Sequence, residues 1–196
     1  MLHIVDDEEV IRDALGWLAR TRGIKATAYP TADAFLQSLD APLHFDPDGD
    51  CLLLDIRMPS MSGVVLFDTL LARGLVARLP VIFLTGHGDV PLAVDSIKRG
   101  AFDFFEKPFN DNTLMDRVQE ALAASRAGTE SAEVQARLTT LSAREREVLD
   151  LILEGNMNKV IADKLGISMR TVEVHRAHIF DKMNVKTAVE LARLLK

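Results

Sequence analysis

Between residues 2 and 107 the chain lays down a short apolar run five times, with a stretch of helical spacing before each next run. The runs are LHIV (2–5), IKATAY (24–29), CLLLD (51–55), PVIFLT (80–85) and FDFFEK (102–107). Ile11, Leu15 and Leu18 share one helical face, and Phe35 and Leu39 another. Val65, Leu66, Thr69 and Leu70 share a third, and Leu114, Val118, Ala121 and Leu122 a fourth. Strands alternating with helices imply a five-stranded parallel α/β sheet with helices on both faces. The nearly unbroken apolarity of the runs agrees, because a strand covered on both sides need not alternate.

From Leu138 onward no strand pattern survives. LSAREREVLDLILEG (141–155) opens with Ser142 and, three residues on, Glu145, the spacing of a capping box, and stops at Gly155. NKVIADKLG (158–166) is a short helix ended by Gly166. Ser168 can cap the next segment, through Asn184, and TAVELARLLK (187–196) closes an all-α four-helix domain. Residues 126–137 are small and polar, readable either as a flexible linker or as an extension of the fifth helix. The expected division is therefore 1–125, a connection at 126–137, and 138–196. The loop APLHFDPDGD (41–50) carries no functional expectation, and there is no internal repeat.

Charge divides along the same line. Residues 1–125 hold 11 Lys and Arg against 19 Asp and Glu, a net −8, whereas 126–196 hold 12 against 10, a net +2. No apolar run reaches membrane-spanning length, and MLHIVDDEE lacks the basic start and long apolar core of a signal peptide. The single cysteine, Cys51, sits in an apolar strand and reads as a buried structural thiol. A reducing cytoplasm and no membrane partner fit these features.

In an open parallel sheet, ligands sit at the carboxyl ends of the strands. Asp6 and Asp7 follow the first strand, Asp55 ends the third, Thr85 ends the fourth and Lys107 the fifth. Three clustered carboxylates repel one another and call for a hard cation, and an all-oxygen set with retained water suits Mg²⁺. The set looks like a phosphoryl-transfer site. Asp55 would be the nucleophile, and Mg²⁺ would be held by Asp6, Asp7, Asp55 and the backbone carbonyl of Arg57. Lys107 and the Thr85 hydroxyl would engage the transferred oxygens, while the Arg57 side chain points to solvent. Each residue taken singly has a plainer reading: Asp6 and Asp7 as helix caps, Thr85 as a strand-end hydroxyl, Lys107 before Pro108 as an exposed turn whose peptide bond is trans or cis.

The paired aspartates, D-x-R-M-P-x-M-S-G (55–63), TGHGDVP (85–91) and DFFEKPF (103–109) resemble the motifs of bacterial two-component receiver domains, and TGHGDVPLAV with KRGAFDFFEKPF resembles the FixJ subgroup. The resemblance covers roughly residues 1–125. It implies the receiver, flavodoxin-like fold and phosphorylation of Asp55 by a sensor histidine kinase. It also implies that Phe104, expected to face the helix starting near Asp89, moves with Thr85 as a switch, the alternative being a static core residue.

VIADKLGISMRTVEVHRAHI (160–179) has helix-turn-helix character: Ala162 is small where two helices cross, Gly166 permits the turn and Val172 packs inward. Residues 138–196 resemble the LuxR-type C-terminal domain of NarL and FixJ regulators through L-S-x-R-E-x-E-V-L, N-K-x-I-A and R-T-V-E-V-H-R. The resemblance implies that helix 169–182 enters the major groove. Lys159, Arg170, Thr171, His175 and Lys182 are then candidates for phosphate contacts, and Glu173, Val174, Arg176 and Ala177 for base edges. The last helix, with Val189, Leu191, Leu194 and Leu195, buries an apolar stripe for either core packing or dimerisation.

These features lead to a phosphorylation-activated transcription factor and not an enzyme, a chain that catalyses only its own magnesium-dependent phosphoryl transfer and dephosphorylation. It would dimerise when phosphorylated, bind promoter DNA and engage RNA polymerase. Two other classes compete. An aspartyl-nucleophile phosphatase of the haloacid-dehalogenase kind wants an acid two residues after its nucleophile, where this chain has Arg57. A receiver that controls a partner protein would use its back domain only for docking.

Overall fold

The computed structural model describes residues 1–39, 45–86 and 90–195, leaving out the Val90 side chain. Residues 40–44 of the Pro/Gly-rich loop, His87, Gly88 and Asp89 of TGHGDVP, and Lys196 lie outside the described residues. The chain divides into two compact units, Met1–Thr129 and Glu130–Lys196.

In the first unit the strands are β1 (Leu2–Val5), β2 (Ala26–Tyr29), β3 (Cys51–Asp55), β4 (Val81–Thr85) and β5 (Asp103–Glu106). All pair in parallel, in the order β2-β1-β3-β4-β5. That is the flavodoxin-like winding, in which the crossovers reverse beside β1 and leave a crevice between the ends of β1 and β3. The intervening helices are α1 (Glu9–Thr21), α2 (Ala32–Leu39), α3 (Gly63–Ala72) and α4 (Val90–Lys98), and α5 (Asp111–Thr139) follows β5.

Strand parity explains the two apolar layers. Cys51 and Leu53 of β3, with Leu2, Ile4, Ile82 and Leu84, pack on Leu15 and Ala19 of α1 and on Leu114, Met115, Val118 and Ala121 of α5. Leu52 and Leu54, with Val5, Val81 and Phe83, pack on Phe35 of α2 and on Leu66, Phe67 and Leu70 of α3. Every residue of β3 and β4 is buried, which is why those runs show no alternation of polarity. Two expectations shift. β2 begins at Ala26, not Ile24, and Val65 is half-exposed because the buried face of α3 is Leu66, Phe67 and Leu70. At the opposite end of the sheet, Asp50 accepts hydrogen bonds from His3 (3.0 Å) and the Asp46 amide (2.7 Å).

Residues 126–137 are helical, since α5 runs without a break to Thr139. In the second unit its last turns contribute Val134 and Leu138 to a core shared with α6 (Ala143–Leu153), α7 (Asn158–Leu165), α8 (Met169–Met183) and α9 (Ala188–Leu194). Ser142 and Glu145 form the expected capping box, and Ser168 caps α8 by accepting from the Thr171 amide (3.1 Å). Gly166 ends α7 at φ +64°, a left-handed conformation that glycine adopts without a Cβ penalty. Ala162 and Val172 are buried where α7 and α8 meet. Leu191 of α9 is fully buried and Leu194 and Leu195 are half-buried, but Val189 stands exposed, so the stripe expected there is narrower by one residue. Among the described residues no helix is long and apolar enough to cross a membrane.

Candidate functional site

The carboxyl ends of β1, β3, β4 and β5 meet at one rim. Register puts Asp55 beside Leu84, and Thr85 beside Glu106, one residue before Lys107. The Lys107 ammonium reaches back across the sheet end, donating to Asp6 Oδ2 at 2.8 Å and Asp55 Oδ1 at 2.7 Å. The lysine amide donates to the Thr85 carbonyl (2.6 Å), and the Lys107–Pro108 peptide bond is cis. Asp6, Asp55 and Thr85 are all buried. This answers how a buried strand can end in a carboxylate: one ammonium serves two of them.

The remaining oxygens are also held. Asp6 Oδ1 accepts from the Glu8 amide (2.9 Å), and Asp55 Oδ2 from the Arg57 amide (2.7 Å). Burial pushes the Asp6 carboxyl above its ordinary value despite the hydrogen bonds from Lys107 and Glu8, with the Asp55 charge adding to the rise. Burial works against the Lys107 charge, but its bonds to Asp55 and Asp6 outweigh that and raise its pKa. Two carboxylates therefore share one cation and remain short of positive charge.

The third expected carboxylate differs. The Asp7 side chain is exposed and makes no hydrogen bond or ion pair among the described residues. Among those residues no three acidic, histidine or cysteine side chains close into a metal-holding group. Asp6 and Asp55 are bonded to the Lys107 ammonium, and Asp7 is exposed. The donor chemistry nonetheless fits a hard cation, since two buried carboxylates share a single ammonium and offer oxygen ligands. The Arg57 side chain is exposed, as its place after the strand requires.

The loop after Asp55 is shaped by two special backbones. Ser60 takes a left-handed conformation (φ 67°), and the Gly63 amide returns to the Ile56 carbonyl at 3.0 Å. A Cβ on Gly63 would lie 2.2 Å from the Asp55 carbonyl oxygen, so only glycine lets α3 start this close to the site. Phe104 packs, half-buried, on the α2–α3 side of the sheet, in the same cluster as Leu92 of α4.

One participant escaped the sequence reading. Arg12, on α1, donates from Nη1 to the Asp6 carbonyl (2.8 Å) and the Asp7 carbonyl (2.9 Å). The available signal was a cation one helical turn into the helix that follows the acid pair.

In the second unit, α8 buries Val172, Ile179 and Met183 and turns Arg170, Glu173, Val174 and Ala177 outward. Those four recur at helical spacing, as one stripe. Lys159 is exposed near the start of α7. Thr171 and His175 are half-buried, and the Thr171 hydroxyl pairs with Ser168 Oγ at 2.8 Å. Two expected DNA-contacting cations are engaged within the unit. The Arg176 guanidinium lies over the Phe180 ring, 5.3 Å from its centroid. Lys182, still exposed, donates to Glu145 Oε2 (2.7 Å) and to the Thr140 carbonyl (3.1 Å). The lysine bond, reinforced by the capping box, lowers the Glu145 pKa to about 2.

Comparison with known proteins covers both units. Residues 2–119 match the response regulator receiver domain, and residues 139–195 match the luxR family of bacterial regulatory proteins. The C4-dicarboxylate transport transcriptional regulatory protein DctR of Rhodobacter capsulatus is 54% identical over 98% of both chains. The transcriptional regulatory protein FixJ of Rhizobium meliloti (strain 1021) is 44% identical over 98% of this chain and 93% of its own. Among solved structures, response regulator StyR has a TM-score of 0.69 at 36% identity, covering 99% of this chain and 96% of that one. Full-length FixJ from B. japonicum has a TM-score of 0.58 at 38% identity, covering 98% and 94%. The chain belongs to the FixJ/NarL-type response regulators, transcription-regulating proteins that join a receiver domain to a LuxR-type DNA-binding domain.

Proposed function

We propose that Asp55 is the phosphoacceptor through which a sensor histidine kinase controls promoter binding by the second unit. The observation that carries this reading is the single ammonium of Lys107 bonded to both Asp6 and Asp55 at the strand ends. An Asp55 oxygen attacks phosphorus and forms a P–O bond as the donor's P–N bond breaks. The electron pair of that bond leaves on the donor histidine ring, which ends neutral once it takes a proton. The carboxylates of Asp6, Asp7 and Asp55 and the carbonyl of Arg57 would hold Mg²⁺, which would supply charge neutralisation to the transferring oxygens. Lys107 gives up its bond to Asp55 and pairs with a phosphoryl oxygen, and the Thr85 hydroxyl donates to another. Phe104 repacks as Thr85 shifts, and the altered surface favours a homodimer.

Residues 1–125 carry the phosphoryl chemistry, 138–196 bind DNA, and the helical stretch 126–137 connects them. In the second unit Arg170, Lys159, Thr171 and His175 approach phosphates, and Glu173, Val174 and Ala177 approach base edges. Arg176, resting on the Phe180 ring, approaches a guanine. RNA polymerase is the downstream partner, and the site of action is the cytoplasm. The Rhodobacter relative is named for C4-dicarboxylate transport, which makes promoters of such transport genes the first DNA to try.

The test uses purified full-length chain with acetyl phosphate and magnesium. Intact-mass measurement is expected to show one phosphoryl increment, stable in acid and labile in alkali. Asp55→Asn is expected to abolish the increment and to leave dimerisation and promoter footprints unchanged by the donor. An unaltered increment on Asp55→Asn removes the assignment. Rapid turnover of small phosphoesters would restore the phosphatase reading, which the position of Arg57 disfavours.

A further inference from the structure

We infer that Arg12 is a positioning residue that aims Asp7 at the metal, an assignment that rests on the phosphoacceptor reading above. Asp6 needs no further aid. Both its carboxylate oxygens are held, one by Lys107 and one by the Glu8 amide. Asp7 has no side-chain partner among the described residues, so its backbone, which sets the Cα–Cβ bond, is what other residues can use to place it. That backbone lies where β1 has ended and α1 has not begun. Glu8, the residue before α1, makes no side-chain cap, and the Asp6 amide reaches the Tyr29 carbonyl at a long 3.3 Å. Apart from the Glu8 amide's bond to Asp6 Oδ1, little besides Arg12 holds the peptide planes that follow Asp6 and Asp7.

Arg12 fixes them. Its Nη1 lies 2.8 Å from the Asp6 carbonyl oxygen and 2.9 Å from that of Asp7, so one nitrogen sets two successive peptide planes. The same guanidinium brings a positive charge beside both carbonyls, on a side chain that is itself half-buried. Groups that orient a ligand without touching the metal typically change metal affinity 10- to 100-fold when removed. Arg12 belongs to that class, acting through Asp7 while Lys107, Asp6 and Asp55 stay in register.

The measurement is direct Mg²⁺ binding to the unphosphorylated full-length chain by titration calorimetry. It is paired with the magnesium dependence of Asp55 labelling by acetyl phosphate. Arg12→Met, which keeps the bulk and removes the donors, is expected to weaken Mg²⁺ binding about 10-fold. Labelling at saturating magnesium is expected to stay within about threefold of wild type, because the residues that touch the phosphoryl group are untouched. Arg12→Lys, which keeps a charged donor, is expected to recover most of the affinity, and a merely space-filling role would not show that difference between Lys and Met. Thermal unfolding accompanies each variant, and if Arg12→Met fails to fold, the comparison moves to Arg12→Gln, expected to bind Mg²⁺ more weakly than Arg12→Lys. Wild-type affinity in a folded Met or Gln variant overturns the role of Arg12. Failure of the wild-type chain to bind Mg²⁺ or to label at Asp55 overturns the reading beneath it instead.

Discussion

Lys107 illustrates how far a single side chain governs this site. Its ammonium is the one positive group bonded to the Asp6 and Asp55 carboxylates among the described residues, and both of those are almost wholly buried. Lys107→Met would leave two buried carboxylates facing each other, and breaking such a pair is expected to destabilise the first unit by about 3 kcal/mol. Urea unfolding followed through Trp17, on α1, reads this. The sign with pH follows from the shifts. Lys107 is raised, so its stabilisation is present at neutral pH and is lost as pH rises through its elevated value. Asp6 is also raised, so its charge burdens the fold above that value and the burden lifts as pH falls through it. The Lys107→Met defect is therefore expected to shrink on acidification toward the carboxyl range. A defect independent of pH would mean that lost packing, not lost charge, is its cause. The residue types of the rim were legible in the sequence because each ends a separate strand. That Asp7 takes no share of the lysine was not legible, because which carboxylates a lysine chooses depends on distances across the sheet.

At the scale of elements, α6 shows a helix start that serves as more than a terminus. Ser142 accepts from the Glu145 amide (3.2 Å), Glu145 Oε2 accepts from the Ser142 amide (2.7 Å), and the same oxygen accepts from Lys182 of α8. The cap was plain in the sequence as Ser and Glu three apart, a local signal. The link to α8, 37 residues on, was not local, and Lys182 was accordingly read as a DNA contact. Glu145 is held near pKa 2, by Lys182 first and by the Ser142 amide next, so its contribution is complete above about 4.5 and drains away as pH falls from there to about 2. Acid unfolding of the helical signal is expected to lose that steepness in Glu145→Gln, which keeps the shape and removes the charge. A variant titrating like wild type would place the acid sensitivity elsewhere. Helix faces were read well where spacing was decisive, as at Leu114, Val118 and Ala121. They were misread by one position at Val65 and Val189, where an apolar residue sits on the solvent side.

For the molecule as a whole, the charge division is the feature that reaches beyond any element. The first 125 residues are net −8 and the rest net +2, so attraction to a polyanion depends on the outward cations of the second unit. Arg170 is exposed on the outward stripe of α8, whereas the Lys182 ammonium is tied to Glu145 and Thr140. Arg170→Ala is expected to reduce the slope of log affinity against log salt by about one, across all DNA sequences alike. Lys182→Ala is expected to lower thermal stability while leaving that slope nearly unchanged, and a full unit of lost slope would make it a phosphate contact as well. Titrating promoter duplex at several salt concentrations separates the two.

Sequence alone determined the order of strands and helices, the change of texture at Leu138 and the residues that end each strand. Those properties follow from spacing and local chemistry, which act over a few residues. Tertiary structure decided which carboxylates share the lysine, that Arg12 grips two carbonyls, that Arg176 rests on Phe180 and that Lys182 serves Glu145. Each of these is a contest between partners at comparable reach, and its outcome depends on ångström differences between elements that the linear chain does not encode locally.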